Sequence, residues 1–184
     1  MIRKIRQASW RTLVGIAVCI GALVLARPTF DSWLSGLPLI IVGESIRLWG
    51  AGHLVKTSEL IVSGPYAFVQ HPLYLGTGFI LTGLLIMGRA PWWLAAVVLV
   101  FFFGYYIRRK HRIESGRLSR LYGARYDAYE AAVPALFPYR RPYRLPDSQP
   151  ASWNLKLVSR NSEDGTVYGL VLVSIYMILK ALWI

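Results

Sequence analysis

Apolar residues fall in five runs along this chain, at roughly Trp10–Ala26, Leu34–Trp49, Leu73–Met87, Pro91–Ile107 and Thr166–Trp183. Each lies near the short end of the ~17–25 residues that a helix needs to cross a bilayer. The short connections Arg27–Trp33 and Gly88–Ala90 predict helical hairpins for the first and third pairs. Pro91 suits the first turn of the fourth helix, where its missing N–H costs nothing. The pattern then changes. Over Glu114–Val133, Leu118, Leu121, Tyr122, Tyr126, Tyr129 and Val133 recur at helical spacing, with Arg117, Arg120 and Arg125 interleaved. This predicts an amphipathic helix on a membrane surface or over a cavity, interrupted at Gly123. Pro134, Pro138, Pro142, Pro146 and Pro150 exclude a helix beyond it, and their spacing does not fit a three-residue polyproline turn. An ordered surface loop is expected there, leading to the last span.

Composition places these runs in a membrane. Of 184 residues 55% are hydrophobic and 16% charged, with seven Trp and eleven Tyr, which fits an integral membrane protein better than a soluble domain. The net charge of +12 would suit nucleic acid, but the apolar bulk argues against that partner. Excess Lys and Arg instead set topology and meet anionic lipid headgroups, so membrane lipids are the expected surroundings. Arg3, Lys4 and Arg6 precede the first run and Arg11 lies at its start, as in a signal peptide. No small-x-small cleavage site follows, and a retained helix is expected. Cys19 is the single cysteine, which excludes disulfides and thiolate metal clusters within one chain.

Charge also orients the spans. Basic residues crowd the N-terminus and the stretch from Arg108 to Arg160, whereas the opposite loops hold Arg27 and Arg89. The positive-inside rule then puts the N-terminus, the 51–72 loop and the 108–165 segment in the cytoplasm and the C-terminus outside. Whatever the orientation, two spans separate the 51–72 loop from the 108–165 segment, so they share a face.

Polar chemistry converges on that face. The loop offers His53, Lys56, Glu59, Tyr66 and His71, and the later segment Arg108, Arg109, Lys110, Arg112 and Glu114. No strand–GxGxxG–helix unit exists, so a Rossmann methyltransferase or dehydrogenase is not expected; phosphate-loop and zinc spacings are also missing. His53, His71 and His111 lack the pairing a b-type haem would need. Taken alone, Glu114 reads equally as an ion-pair partner of Arg112 or Lys110, and His71-Pro72 as the end of a turn. Gly15…Cys19 and Gly78…Thr82…Ile86 predict close helix packing.

Two blocks go further. Gly64-Pro65-Tyr66…His71-Pro72-x-Tyr74-x-Gly76 resembles the GPYxxxRHPxYxG motif of the isoprenylcysteine carboxyl methyltransferase and phospholipid methyltransferase superfamily. Arg112-Ile113-Glu114-Ser115-x-x-Leu118, with Leu121-Tyr122-Gly123-x-x-Tyr126-x-x-Tyr129 and Val133-Pro134, is similar to its RxEExxL…FGxxYxxY…VP. Arg47–Leu60 also reads like bacterial members, so the resemblance covers roughly residues 43–138. Gln70 stands where the family has arginine, and Ser115 replaces the second of its paired acids.

The resemblance implies an all-α integral membrane fold without a Rossmann domain. Five transmembrane helices would hold a cytoplasmic cofactor cavity, closed by the amphipathic helix and the Pro-rich loop. The whole chain, 1–184, would form one domain: an N-terminal hairpin (1–50), the motif region (51–138), a Pro-rich basic loop (139–165) and a C-terminal helix (166–184). The implied activity is methyl transfer from S-adenosylmethionine to a lipophilic small molecule or lipid, through a carboxylate, amine or thiol, in a bacterial cytoplasmic membrane. Carried over residue by residue, cofactor contacts fall on Lys56, Leu60, Pro65, Tyr66, His71, Pro72, Tyr74 and Gly76. Arg112 would orient a substrate or cofactor carboxylate, and Glu114 would steady that arginine or accept a proton. A sterol-type reductase using NADPH and a non-enzymatic membrane scaffold are the competing readings.

Overall fold

A computed structural model describes residues 10–55, 60–139, 141–144 and 151–183. The regular elements among them are all helices, with no strand. Helices α1 (Trp10–Leu25), α2 (Phe30–Ala51) and α3 (Pro72–Met87) come first, with a single 3₁₀ turn at Gly64–Ala67 between the last two. A long helix then runs unbroken over Trp92–Tyr122. It comprises α4 (Trp92–Val100), a π-helical stretch (Phe101–Tyr106) and α5 (Ile107–Tyr122). After it come α6 (Ala124–Ala132), α7 (Leu155–Arg160) and α8 (Glu163–Trp183). Among the described residues, two helices are long and apolar enough to cross a membrane, Trp92–Tyr122 with 31 residues and Glu163–Trp183 with 21. Ile16–Leu25 and α3 are apolar but shorter.

Local chemistry accounts for where these elements differ from the hydrophobic pattern. The second helix starts at Phe30, not Leu34, because Thr29 and Ser32 form a reciprocal capping box and Asp31 sits in the first turn. Pro91 stands just before α4 in an extended conformation, so it does not occupy the first turn. The fourth run does not end at Ile107. Nothing in Phe101–Tyr106 breaks a helix, and the widened π turn passes the chain into α5 instead. Gly123 ends α5 with φ +54, a conformation L side chains rarely adopt, and α6 restarts at once. Within the expected 139–165 loop, Asn154 caps the short helix α7.

The centre of the molecule is the pair α2 and α3, which approach through glycines. A Cβ added at Gly43 would stand 2.5 Å from the Gly76 carbonyl oxygen, and one at Gly83 2.7 Å from that of Gly36. This is the packing expected of small residues between membrane helices. The expected pair at Gly78 does something else, because Gly78 faces the Phe103 ring of the π turn. Arg47 cross-ties the bundle: Nη2 lies 2.7 Å from Glu163 of α8 and Nη1 donates to Thr77 of α3 at 2.6 Å, with Glu44 3.6 Å away. Lys180 of α8 donates to the last carbonyls of α1, Leu23 at 3.2 Å and Val24 at 2.7 Å, where the negative end of that helix favours a cation. Asn161 and Trp153 hold the segment around α7 to the end of α2, through the Ala51, Leu54 and Leu48 carbonyls.

Candidate active site

The two sequence blocks meet through their backbones. Gln70 and His71 N–H groups donate to the Pro134 and Ala135 carbonyls at 3.0 and 3.1 Å. Tyr139 and Tyr143 return the bonds, donating to Phe68 and Ala67 at 2.9 and 2.8 Å. Gly64 makes the approach possible: its φ is +60, and a Cβ there would strike the His53 ring. The Gln70 side-chain amide donates to the Glu130 and Val133 carbonyls, satisfying the end of α6. The arginine-to-glutamine departure thus leaves a residue that still docks the second block, without a charge. Val62, Tyr126, Tyr129 and Val133 pack beneath as a buried cluster, and the Tyr129 hydroxyl donates to the Tyr66 carbonyl at 2.8 Å.

A cavity of about 640 Å³ opens above this junction. Most of its wall is apolar, from Leu54, Leu60, Leu73, Leu118 and Leu121, while Tyr66, Gln70, His71, Tyr74, Glu114 and Arg117 supply the polar lining. Tyr74 donates a short hydrogen bond to Glu114 Oε1, and His71 Nδ1 lies 3.5 Å from Glu114 Oε2. The π turn backs this arrangement, stacking Phe102 on Tyr106, whose ring stands edge-on to Tyr74 at 6.2 Å. Behind His71, its Nε2 is 2.9 Å from His111 Nδ1. Ser115, in place of the second acid, lies 3.2 Å from that same His111 nitrogen and accepts from the Tyr126 hydroxyl at 2.9 Å.

Burial sets the charge states. His71 is held down to about 4, first by burial and then by neighbouring His111, so it is a neutral imidazole near pH 7. Burial pushes the Tyr66, Tyr126 and Tyr129 phenols well up, with nearby Glu114 adding to the rise at Tyr66, and they remain donors. Yet Tyr66 Oη and Gln70 Oε1 are buried without a hydrogen-bond partner among the described residues. Buried polar atoms that line a cavity and lack partners mark where a ligand would supply them.

Of the residues carried over from the motifs, Leu60, Tyr66, His71, Pro72, Tyr74 and Glu114 come together around this cavity. Pro65 is fully buried beneath it. Gly76 packs on Gly43 and the Arg47 side chain, away from the cavity lining. Arg112 is exposed and outside the cavity lining, in a second groove with Ile113 and Arg120 that Arg117 also borders. Lys56 and Glu59 lie outside the described residues. The motifs did not point to Arg117, although its three-residue step from Glu114 places both on one side of a helix. His111 was visible only as an isolated histidine.

Residues 10–125 match the model of the phospholipid methyltransferase family, and the chain belongs to that family of membrane methyltransferases. The nickel-cobalt-cadmium resistance protein NccN of Alcaligenes xylosoxydans xylosoxydans is 30% identical over 145 residues, 72% of this chain and 64% of that protein. The chain therefore spans less than two thirds of that relative's length. No solved structure matches it.

Proposed function

We propose that this protein transfers a methyl group from S-adenosylmethionine to a lipophilic acceptor at the cytoplasmic face of a bacterial inner membrane. The observation that carries the reading is the cavity that joins the two motif blocks. Its polar end offers a phenol and an amide oxygen with no partner among the described residues, an acid and an arginine, and its remaining wall is apolar. Those groups fit an adenosyl amino acid: Arg117 can hold a carboxylate, and Glu114 an ammonium or a proton. Tyr66 and Gln70 can receive the polar edge of the nucleoside. The cofactor supplies a methyl group on a sulfonium, an electrophile that needs little activation.

The chain's part is chiefly to place and to dry the reactants. Tyr74 fixes the Glu114 carboxylate, and His71 flanks it from the buried side. Aromatic faces at Tyr66 and Tyr74 favour a cationic sulfur. Leu60, Leu118 and Leu121 exclude water and accept an apolar acceptor. In this reading α1, α2 and α3 join the two long apolar helices as spans, with the N-terminus cytoplasmic.

Purified protein incubated with methyl-labelled S-adenosylmethionine and a membrane lipid extract should yield a labelled lipid by mass spectrometry. Absence of label, with NADPH but not S-adenosylhomocysteine raising the melting temperature, would replace this reading with a reductase. No shift with either would favour a scaffold.

A further inference from the structure

We propose that His71, His111 and Glu130 form a proton exit behind the cavity, which carries the acceptor's proton from Glu114 to the surface of α6. The inference rests on the methyltransferase reading and adds that the acceptor is an X–H nucleophile, a nitrogen or a thiol, since a carboxylate has no proton to lose.

The geometry is a line of alternating groups. Glu114 Oε2 is 3.5 Å from His71 Nδ1, His71 Nε2 is 2.9 Å from His111 Nδ1, and His111 Nε2 is 3.8 Å from Glu130 Oε1. The first and last steps are long for direct hydrogen bonds and within the range that one water or a small rotation closes. The Glu114 side chain is 40% exposed, toward the cavity, that of His71 7%, that of His111 33% and that of Glu130 34%, so beyond buried His71 the line returns to water. His111, Ser115 and Glu130 do not line the cavity, so the line leaves it from the back. When cofactor and acceptor fill the cavity, Glu114 is cut off from the water it meets on that side. A back exit then becomes useful.

Each imidazole takes a proton at one nitrogen and gives one from the other, so neither needs to carry charge for long. The depressed pKa of His71 suits such a neutral carrier. Groups facing the line are Tyr66 and Tyr74, Glu114 and Ser115 of α5, and Tyr126 and Glu130 of α6. Among the described residues, the Glu114 and Glu130 carboxylates lie within 4 Å of these two imidazoles and of no Lys or Arg nitrogen. The step balances. The X–H proton goes to Glu114 and the freed pair on X forms the new X–CH₃ bond. The C–S pair returns to the sulfur of the methyl donor, and Glu130 finally releases one proton to water.

The test measures S-adenosylhomocysteine formation by wild type, His111→Ala and Glu130→Gln in vesicles made from bacterial membrane lipid extract. Both variants should lose ~10-fold or more in kcat at neutral pH with the cofactor KM nearly unchanged. The deficit should shrink at alkaline pH, and added imidazole should restore His111→Ala. Unchanged kcat in both variants of an active enzyme would overturn the exit alone. So would a loss that is independent of pH and imidazole, which marks a merely structural role. A wild type that releases no S-adenosylhomocysteine, although it binds that molecule in a melting assay, would sink the methyltransferase reading and the exit with it.

Discussion

The Tyr74 hydroxyl donates to the Glu114 carboxylate and so ties the first turn of α3 to α5 across the cavity. Each motif block contributes one partner. With Glu114 as acid–base group, Glu114→Gln should lower kcat by ~10²-fold or more, while the cofactor KM changes little. Tyr74→Phe should cost less, ~10-fold, because the carboxylate survives but loses its orientation. The two losses should be non-additive in the double variant, by about 1 kcal/mol or more, because the residues touch. Additive losses in a steady-state double-mutant cycle would show that the bond does not serve the reaction.

Arg112 and Arg117 invite a direct comparison. Both side chains are exposed and share a groove on α5, but the motif resemblance favours Arg112, which is not in the cavity lining, whereas Arg117 also lines the cavity. Arg117→Ala should therefore raise the dissociation constant of S-adenosylhomocysteine by ~10-fold, the loss of one charge-assisted contact. Arg112→Ala should change it by ~2-fold at most, as for a surface charge outside the cavity lining. Isothermal titration in detergent separates the two. The reverse ranking would return the carboxylate-holding role to Arg112.

How far the site was legible depended on the kind of signal. Tyr66, His71 and Tyr74 stood out because turn formers and aromatics at the start of an apolar run are unusual, and span counting put them on the face of Glu114. The long helix was only half visible. Its apolar stretch ends near Ile107, and hydropathy alone cannot show that a π turn carries the helix on into Arg-rich sequence. Gly76 was read with its motif neighbours, but a helix rotates each successive side chain by about 100°. Two residues beyond Tyr74 it faces α2. The pairing of residues 67–71 with 134–143 is made by backbone atoms, and side-chain patterns leave no trace of it.

Gly43 and Gly76 set the spacing of α2 and α3, so stability should depend on both. A methyl group at Gly43 would meet the Gly76 carbonyl at 2.5 Å, a contact that must be relieved by moving backbone. Gly43→Ala should destabilise by roughly 1–3 kcal/mol, the usual cost of overpacking. Gly165→Ala, where added bulk meets nothing within 4 Å, should be close to neutral. Thermal melting in detergent reports both. A Gly43→Ala variant as stable as wild type would mean that the two helices can separate without cost.

Neutral, buried His71 should make the protein acid-sensitive. Its pKa is lowered in the fold to about 4 and returns to ~6.5 in the unfolded chain. Between these values the unfolded state binds the extra proton, so stability rises with pH through this window. The contribution is complete above about pH 6.5 and is lost progressively as pH falls toward 4, with a magnitude on the order of 3 kcal/mol. Carboxylates elsewhere titrate over part of the same range, so the informative quantity is the difference between wild type and His71→Gln. The variant's melting temperature should fall less steeply between pH 7 and pH 4 than that of wild type. Parallel curves would show that His71 is solvated or already protonated in the folded protein.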